Sequence, residues 1–171
     1  MKKTLLSVFS FLLLTSLCYA TDDVFTHTAD TSKIKIPTFK DTSCKFEQEK
    51  HINGNVIKSG GAFRFILKKG VIFETLYPIK YTTTYNSKEN KYVNDIIISI
   101  SKKNFSAIEK NFHIYFKEKS PSWTMGLIPK TDSIAHEHIK NIIIKGENDI
   151  NGIMINTVKN GYTVINFTQC E

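Results

Sequence analysis

Apolar and polar residues alternate with a period of two along most of this chain, in short runs divided by turn residues, and that pattern confines it to sheet. The run Phe46-Glu-Gln-Glu-Lys50 is followed by Ser59-Gly60-Gly61-Ala-Phe63-Arg-Phe65 and then by Val71-Ile-Phe73-Glu-Thr-Leu-Tyr-Pro78. Because alternate side chains of a strand point to opposite faces, Phe46, Phe63, Phe65, Leu67 and Phe73 share one apolar side. Arg64 and the carboxylates of Glu47, Glu49 and Glu74 fall on the other side. Asn53-Gly54-Asn55, Ser59-Gly60-Gly61 and Lys68-Lys69-Gly70 read as turns. Ile79, Tyr81, Thr83 and Tyr85 alternate again in a fourth strand, and Ser87 to Asn90 supplies the loop that ends it.

The two-residue period returns at Phe112, Ile114 and Phe116, and continues through Trp123, Met125 and Leu127. It then runs through residues 139–145, 150–158 and 162–167, with Asn160-Gly161 reading as a two-residue hairpin turn. The total is about nine strands, so the expected class is mainly β (α+β) with antiparallel pairing. One segment, residues 94–110, stays open between two readings. Ile96 to Ile100 has strand propensity, whereas Asp95 fits a helix cap and Ile97, Ile100, Phe105 and Ile108 approximate a helical stripe.

The first twenty residues read as an export signal, with Lys2 and Lys3 before the apolar stretch Leu5 to Leu17 and small residues ahead of a cut after Ala20. The stretch is short for a bilayer span, which takes about 20 apolar residues. Leu13 to Cys18 superficially resembles a lipoprotein box, but Leu17 stands where a small residue belongs. Cleavage leaves residues 21–171, a single-domain length that can bury about 70% of its unfolded surface without metal or disulfide support. Within it, residues 21–41 are polar and read as an N-terminal arm or edge strand, with Pro37 opposing a helix, and residues 42–171 form the domain.

Export implies an oxidising compartment, in which the two cysteines left after cleavage, Cys44 and Cys170, are expected to pair. The formal charge of +7 is carried almost entirely by lysine, since Arg64 is the only arginine. Nucleic-acid recognition leans on the bidentate arginine fork, so a nucleic-acid partner is not expected. Solvated surface lysine, with some attraction to anionic lipid headgroups, fits better.

Catalytic patterns are missing from the sequence: there is no Gly-x-Ser-x-Gly elbow, no His-Glu-x-x-His and no phosphate-binding glycine loop. His136-Glu137-His138 is the nearest approach to a metal site, but His27, His51 and His113 are scattered, and zinc takes three or four ligands. Neither a metal nor another cofactor is therefore expected, and the chain is not expected to be an enzyme. What the sequence offers instead is an apolar face rich in aromatic residues. An ordinary closed core uses such a face, and so does a cavity for a lipid. An acyl chain of about 16 carbons costs on the order of 13 kcal/mol to expose, so a carrier must cover it almost completely.

In order and spacing, Phe46-x-Gln48-x-Lys50, Ser59-Gly60-Gly61-x-Phe63-x-Phe65 and Pro78 resemble the opening strands of the LolA-like outer-membrane lipoprotein carrier family. Ser122-Trp123-Thr124-Met125-Gly126-Leu127-Ile128-Pro129-Lys130 is similar to that family's tryptophan–leucine–proline strand, and Asn160-Gly161-Tyr162 to Phe167 to its closing hairpin. The resemblance spans residues 44–167. It implies an incomplete antiparallel β-barrel covered by short lid helices, with residues 94–110 in the lid, and a periplasmic monomer. Acyl chains of lipoproteins or related lipids would be its cargo, passed from an inner-membrane donor to an outer-membrane acceptor.

On that reading Phe46, Phe63, Phe65, Leu67, Phe73, Tyr81, Phe112, Ile114, Trp123 and Met125 line the cavity, and Ile97, Ile100 and Phe105 belong to the lid. Lys69 stands where the family carries a latching arginine, without the planar fork that such a latch uses. The amphipathic helix that the family places before its first strand is opposed here by Pro37. An exported β-scaffold that assembles with an envelope complex is the alternative, and a filled interior would favour it. A hydrolase of lipid or glycan is a third, weaker reading.

Overall fold

A computed structural model describes residues 24–67, 69–84 and 91–171. The export segment and the loop assigned to Ser87–Asn90 lie outside the described residues, as does Tyr85. Among the described residues nine strands form one sheet: β1 Thr42–Ile52, β2 Asn55–Ile66, β3 Gly70–Tyr77, β4 Tyr81–Thr83, β5 Phe112–Lys119, β6 Ser122–Pro129, β7 Ile139–Gly146, β8 Ile150–Thr157 and β9 Tyr162–Thr168. Two helices, α1 Lys91–Ser101 and α2 Phe105–Glu109, lie in sequence between β4 and β5.

The spatial order is β4-β3-β2-β1-β9-β8-β7-β6-β5, with every neighbouring pair antiparallel. The edge strands β4 and β5 do not pair with each other, so the barrel is incomplete, as the sequence reading expected. The chain passes from one edge to the other through α1 and α2. Helix α1 packs on β3 and α2 on β5, which lays the helix pair across the open side.

The alternation read from the sequence is the alternation that sorts the two faces. Cys44 and Phe46 of β1, Phe63 and Phe65 of β2, and Val71 and Phe73 of β3 are buried, while Lys45, Glu47, Arg64 and Glu74 are exposed. Strands from both halves of the sheet and both helices contribute to a single apolar cluster. One continuous core requires the sheet to wrap around it.

Residues 94–110 resolve as helix. Val93, Asn94, Ile96, Ile97, Ile100 and Ser101 follow helical spacing, and apart from the half-buried Val93 they are buried. Asp95 lies inside α1 and is exposed rather than capping it. A left-handed Lys103, at φ 54°, and the N-cap Asn104 separate α1 from α2.

Two turn assignments and one strand change. Ser59-Gly60-Gly61 is no turn but the middle of β2, with a register shift against β3 between the two glycines. The glycines are there for approach, not reversal. A Cβ on Gly61 would collide with the Glu74 backbone carbonyl of β3, whereas one on Gly60 would meet the Tyr77 ring and, less closely, the Phe46 backbone carbonyl of β1. Gly61→Ala is therefore expected to lower stability by about 3 kcal/mol, with a smaller loss for Gly60→Ala, where the backbone clash is milder and the Tyr77 side chain can give way. Urea midpoints of the two variants check this, and equal losses would contradict it.

The β8–β9 turn has four residues, Val158 to Gly161, not two. Thr157 and Gly161 exchange hydrogen bonds across it, and Asn160 takes a left-handed conformation at φ 57°. The fourth strand is only the three residues of β4, and Ile79 precedes it in the loop.

The polar-looking segment before β1 is neither a free arm nor an edge strand. Short 3-10 turns at Val24–Thr26 and Thr31–Lys33 lead into an extended stretch whose Ile34, Ile36 and Phe39 join the core. Thr28 bridges to Tyr115 of β5, and Ala29 donates a backbone hydrogen bond to Ile114, so the outer edge of β5 is partly covered.

Candidate functional site

The concave interior between the sheet and the helix pair is the site that the fold builds. Phe46, Phe63, Phe65, Phe73, Phe112, Ile114, Trp123 and Met125 all point into it and are buried, and Leu67 packs at its margin. Phe73 stands edge-on to Phe46 with ring centres 5.1 Å apart, and Phe63 lies 4.4 Å from Phe167. Trp123 is fixed at the far side by donation from its Nε1 to the Glu147 carbonyl at 2.9 Å, which satisfies the one polar atom the indole brings inside. Tyr81 differs from these residues in sitting at the rim, 51% exposed.

Ile97, Ile100 and Phe105 of the helix pair fill the interior from the open side. Ile100 is 0% and Ile97 2% exposed. Small voids lie among the described residues. One of about 20 Å³ lies among Phe39, Cys44, Phe63, Phe65, Ile97 and Ile150. Another, about 40 Å³, lies among Phe46, Gln48, Phe73, Tyr81, Val93 and Ile165. Ligand sites typically take about 300–1,000 Å³, so the interior is full in this state.

Lys69 sits exposed in the β2–β3 turn, its backbone N–H donating to Ile66. The polar tie between the helix pair and that end of β3 comes from a residue that sequence reasoning passed over. Asn94, 5% exposed on α1, accepts a hydrogen bond at 3.0 Å through its Oδ1 from the backbone N–H of Val71. Its position on the buried stripe of α1 was the available signal, because a polar residue on such a stripe needs a partner. At the other helix, the Thr31 hydroxyl donates to the Glu109 carboxylate of α2 at 3.5 Å, a long contact.

The cysteines expected to pair do so: Cys44 and Cys170 form a disulfide that joins β1 to the C-terminus, with a sequence separation of 126. Backbone bonds run both ways between Ser43 and Glu171 beside it.

Electrostatic perturbation lies outside this interior. The Lys58 ammonium, 2.7 Å away, holds the Glu49 carboxyl below its ordinary range, with His51 on its other side, and Glu49 in turn raises Lys58. Hydrogen bonds from Ser32, and then Lys33, do the same for Asp30. All of these groups are on the surface. His136 and Glu137 belong to a short 3-10 turn with His138 at its end, and all three are exposed. Among the described residues no cluster of three or more potential metal ligands occurs.

The site is thus a half-barrel whose apolar interior is closed by a helix pair rather than by a second sheet. No protein-family model and no curated protein matches this sequence. Several solved structures are similar to it. A LolA superfamily protein from Nitrosomonas europaea is 6% identical with a TM-score of 0.39, covering 82% of this chain and 89% of that one. A DUF1329 family protein from Desulfovibrio piger is 6% identical with a TM-score of 0.35, covering 78% and 86%. A domain named for outer membrane lipoprotein sorting, from Vibrio parahaemolyticus, is 7% identical with a TM-score of 0.33, covering 77% and 85%. At overlaps of this size, the description of the fold stands on the strand order and the helix pair themselves.

Proposed function

We propose that the chain is a periplasmic, non-enzymatic carrier that takes an acyl chain, of a lipoprotein or a related lipid, into the space now held by the buried face of α1. The observation that carries this reading is the unequal construction of the container. Among the described residues its sheet walls are joined by antiparallel backbone ladders, while the contacts of α1 with β3 and the core are apolar packing and the Asn94–Val71 bond. The aromatic residues of β1 to β3, with Trp123 and Met125 opposite, line the space, and Ile97, Ile100 and Phe105 are the wall that moves.

Magnitudes support an exchange of this kind. Withdrawing Ile96, Ile97 and Ile100 from the interior costs on the order of 6 kcal/mol, at about 2 kcal/mol for each buried side chain. Covering an acyl chain of about 16 carbons returns on the order of 13 kcal/mol. The difference, about 7 kcal/mol before the cost of association, corresponds to affinity in the micromolar range or weaker. A protein that must hand its cargo to an acceptor needs affinity of that order, not tighter.

Purified protein stripped of lipid is expected to take up a fluorescent fatty acid such as parinaric acid at micromolar concentration, with emission transferred from Trp123. No uptake at ten times that concentration would overturn the carrier reading. The filled interior favours a second reading, an exported β-scaffold that binds an envelope partner through its surface and carries no lipid. Mass spectrometry of material extracted from the native periplasm separates the two. Stoichiometric lipid supports the carrier, and lipid-free protein supports the scaffold.

A further inference from the structure

Large apolar side chains are exposed at one end of the sheet far more than elsewhere. Val56 and Ile57 of β2 are 48% and 50% exposed, Leu76 at the end of β3 is 50%, Ile79 is 74%, Tyr81 is 51% and Tyr162 at the start of β9 is 37%. The strand register brings these residues together. The β1–β2 hairpin runs past its neighbours, since β3 pairs with β2 only as far as Gly60 and β9 reaches β1 only as far as His51. Tyr162 stacks on His51 with ring centres 4.0 Å apart, and the β8–β9 turn lies against the hairpin, where a Cβ on Gly161 would meet the backbone of His51 and the side chain of Ile52. The 40 Å³ void opens just inside the same rim, with Tyr81 common to both.

Among the described residues, unpaired lysines stand around this end. Lys50 lies opposite Ile57, Lys80 directly precedes β4, and Lys159 is in the β8–β9 turn, all exposed. Lys58 neutralises Glu49, the carboxylate nearest the hairpin tip. Aliphatic tips, tyrosine rings and lysines on one rim match the layered chemistry of a bilayer surface, where apolar groups enter the acyl boundary, tyrosine favours the headgroup level and cations meet anionic phosphates. A second copy of this chain is a poorer occupant, because two such rims would bring like charges together.

We infer that the β1–β2, β3–β4 and β8–β9 end of the half-barrel docks on anionic membrane surfaces and directs the rim of the interior at the bilayer. Docking does not depend on the interior holding lipid, so it is measured separately from uptake.

The test is co-sedimentation of the mature chain with vesicles of phosphatidylcholine alone and with vesicles that also contain phosphatidylglycerol. Binding is expected to the anionic vesicles, weakened by salt. Replacing Lys50, Lys80 or Lys159 by glutamine should weaken it about five-fold for each lysine removed. Ile79→Asp, at a site too exposed to disturb the core, should weaken it about ten-fold, and Ile79→Trp should shift its emission to the blue on binding. Absence of binding to anionic vesicles overturns the inference, and so does binding that is indifferent to Ile79→Asp. Concentration-dependent dimerisation abolished by Ile79→Asp, without vesicle binding, would assign the end to a second copy instead and overturn it equally.

Discussion

Substituting leucine for Asn94 is expected to loosen α1 while leaving the sheet in place. The change keeps the number and branching of heavy atoms but removes the oxygen that accepts from the Val71 N–H, and Val71 is 1% exposed, so that donor is left buried and unpaired. The cost is about 2 kcal/mol, the price of one orphaned buried donor. Because β3 keeps its ladders to β2 and β4, that cost falls on the attachment of the helix pair. Hydrogen exchange should therefore accelerate in residues 92–101 by about thirty-fold, 2 kcal/mol expressed as an equilibrium ratio, and stay unchanged in β1 and β9. If the carrier reading holds, uptake of a fluorescent fatty acid should quicken with it. Exchange accelerated equally in helix and sheet would show that Asn94 serves global stability and not the closure of the wall.

Breaking the Cys44–Cys170 disulfide should produce a large loss of stability from a single bond. The bond closes a loop across a sequence separation of 126, and by the loop-entropy argument such a closure contributes about 5 kcal/mol. For a domain of this size the loss corresponds to roughly 10–20 °C in melting temperature. Thermal unfolding of the Cys44→Ala/Cys170→Ala double variant, and of the wild-type chain under reductant, checks it. The two should agree with each other, and a shift under 5 °C in both would show that the paired Ser43 and Glu171 backbones hold the C-terminus unaided.

The strands were legible in the sequence because burying one face of a sheet leaves a period of two, which β5 and β6 keep most plainly. The helix pair was half legible. Ile96 to Ile100 suits a strand by composition, and only the stripe that runs on to Phe105 and Ile108 tips it to helix, since burial along a line outweighs intrinsic preference. Gly60 and Gly61 misled for a related reason. Glycine marks either reversal or close approach, and which of the two applies is decided by Glu74 and Tyr77 on a neighbouring strand that no local reading can see.

Ile34, Ile36 and Phe39 were hidden among lysines and threonines, and the step of three from Ile36 to Phe39 breaks the period of two that Ile34 and Ile36 begin. The pairing of Cys44 with Cys170 followed from counting and compartment alone. Asn94 required knowing which way the helix faced, and the exposed end required the register, because Val56, Leu76 and Tyr162 are far apart in the chain and reach the same end only in the sheet.

The strand order has a consequence for how this protein is made. β9, the last strand, occupies the middle of the sheet, between β1 and β8. Until residues 162–168 emerge, the chain consists of two separate ribbons, β1 to β4 and β5 to β8, each with a long unsatisfied edge and neither with a closed core. β9 is therefore the seam on which the two ribbons depend, and the Cys44–Cys170 bond, two residues beyond that strand, locks it to β1.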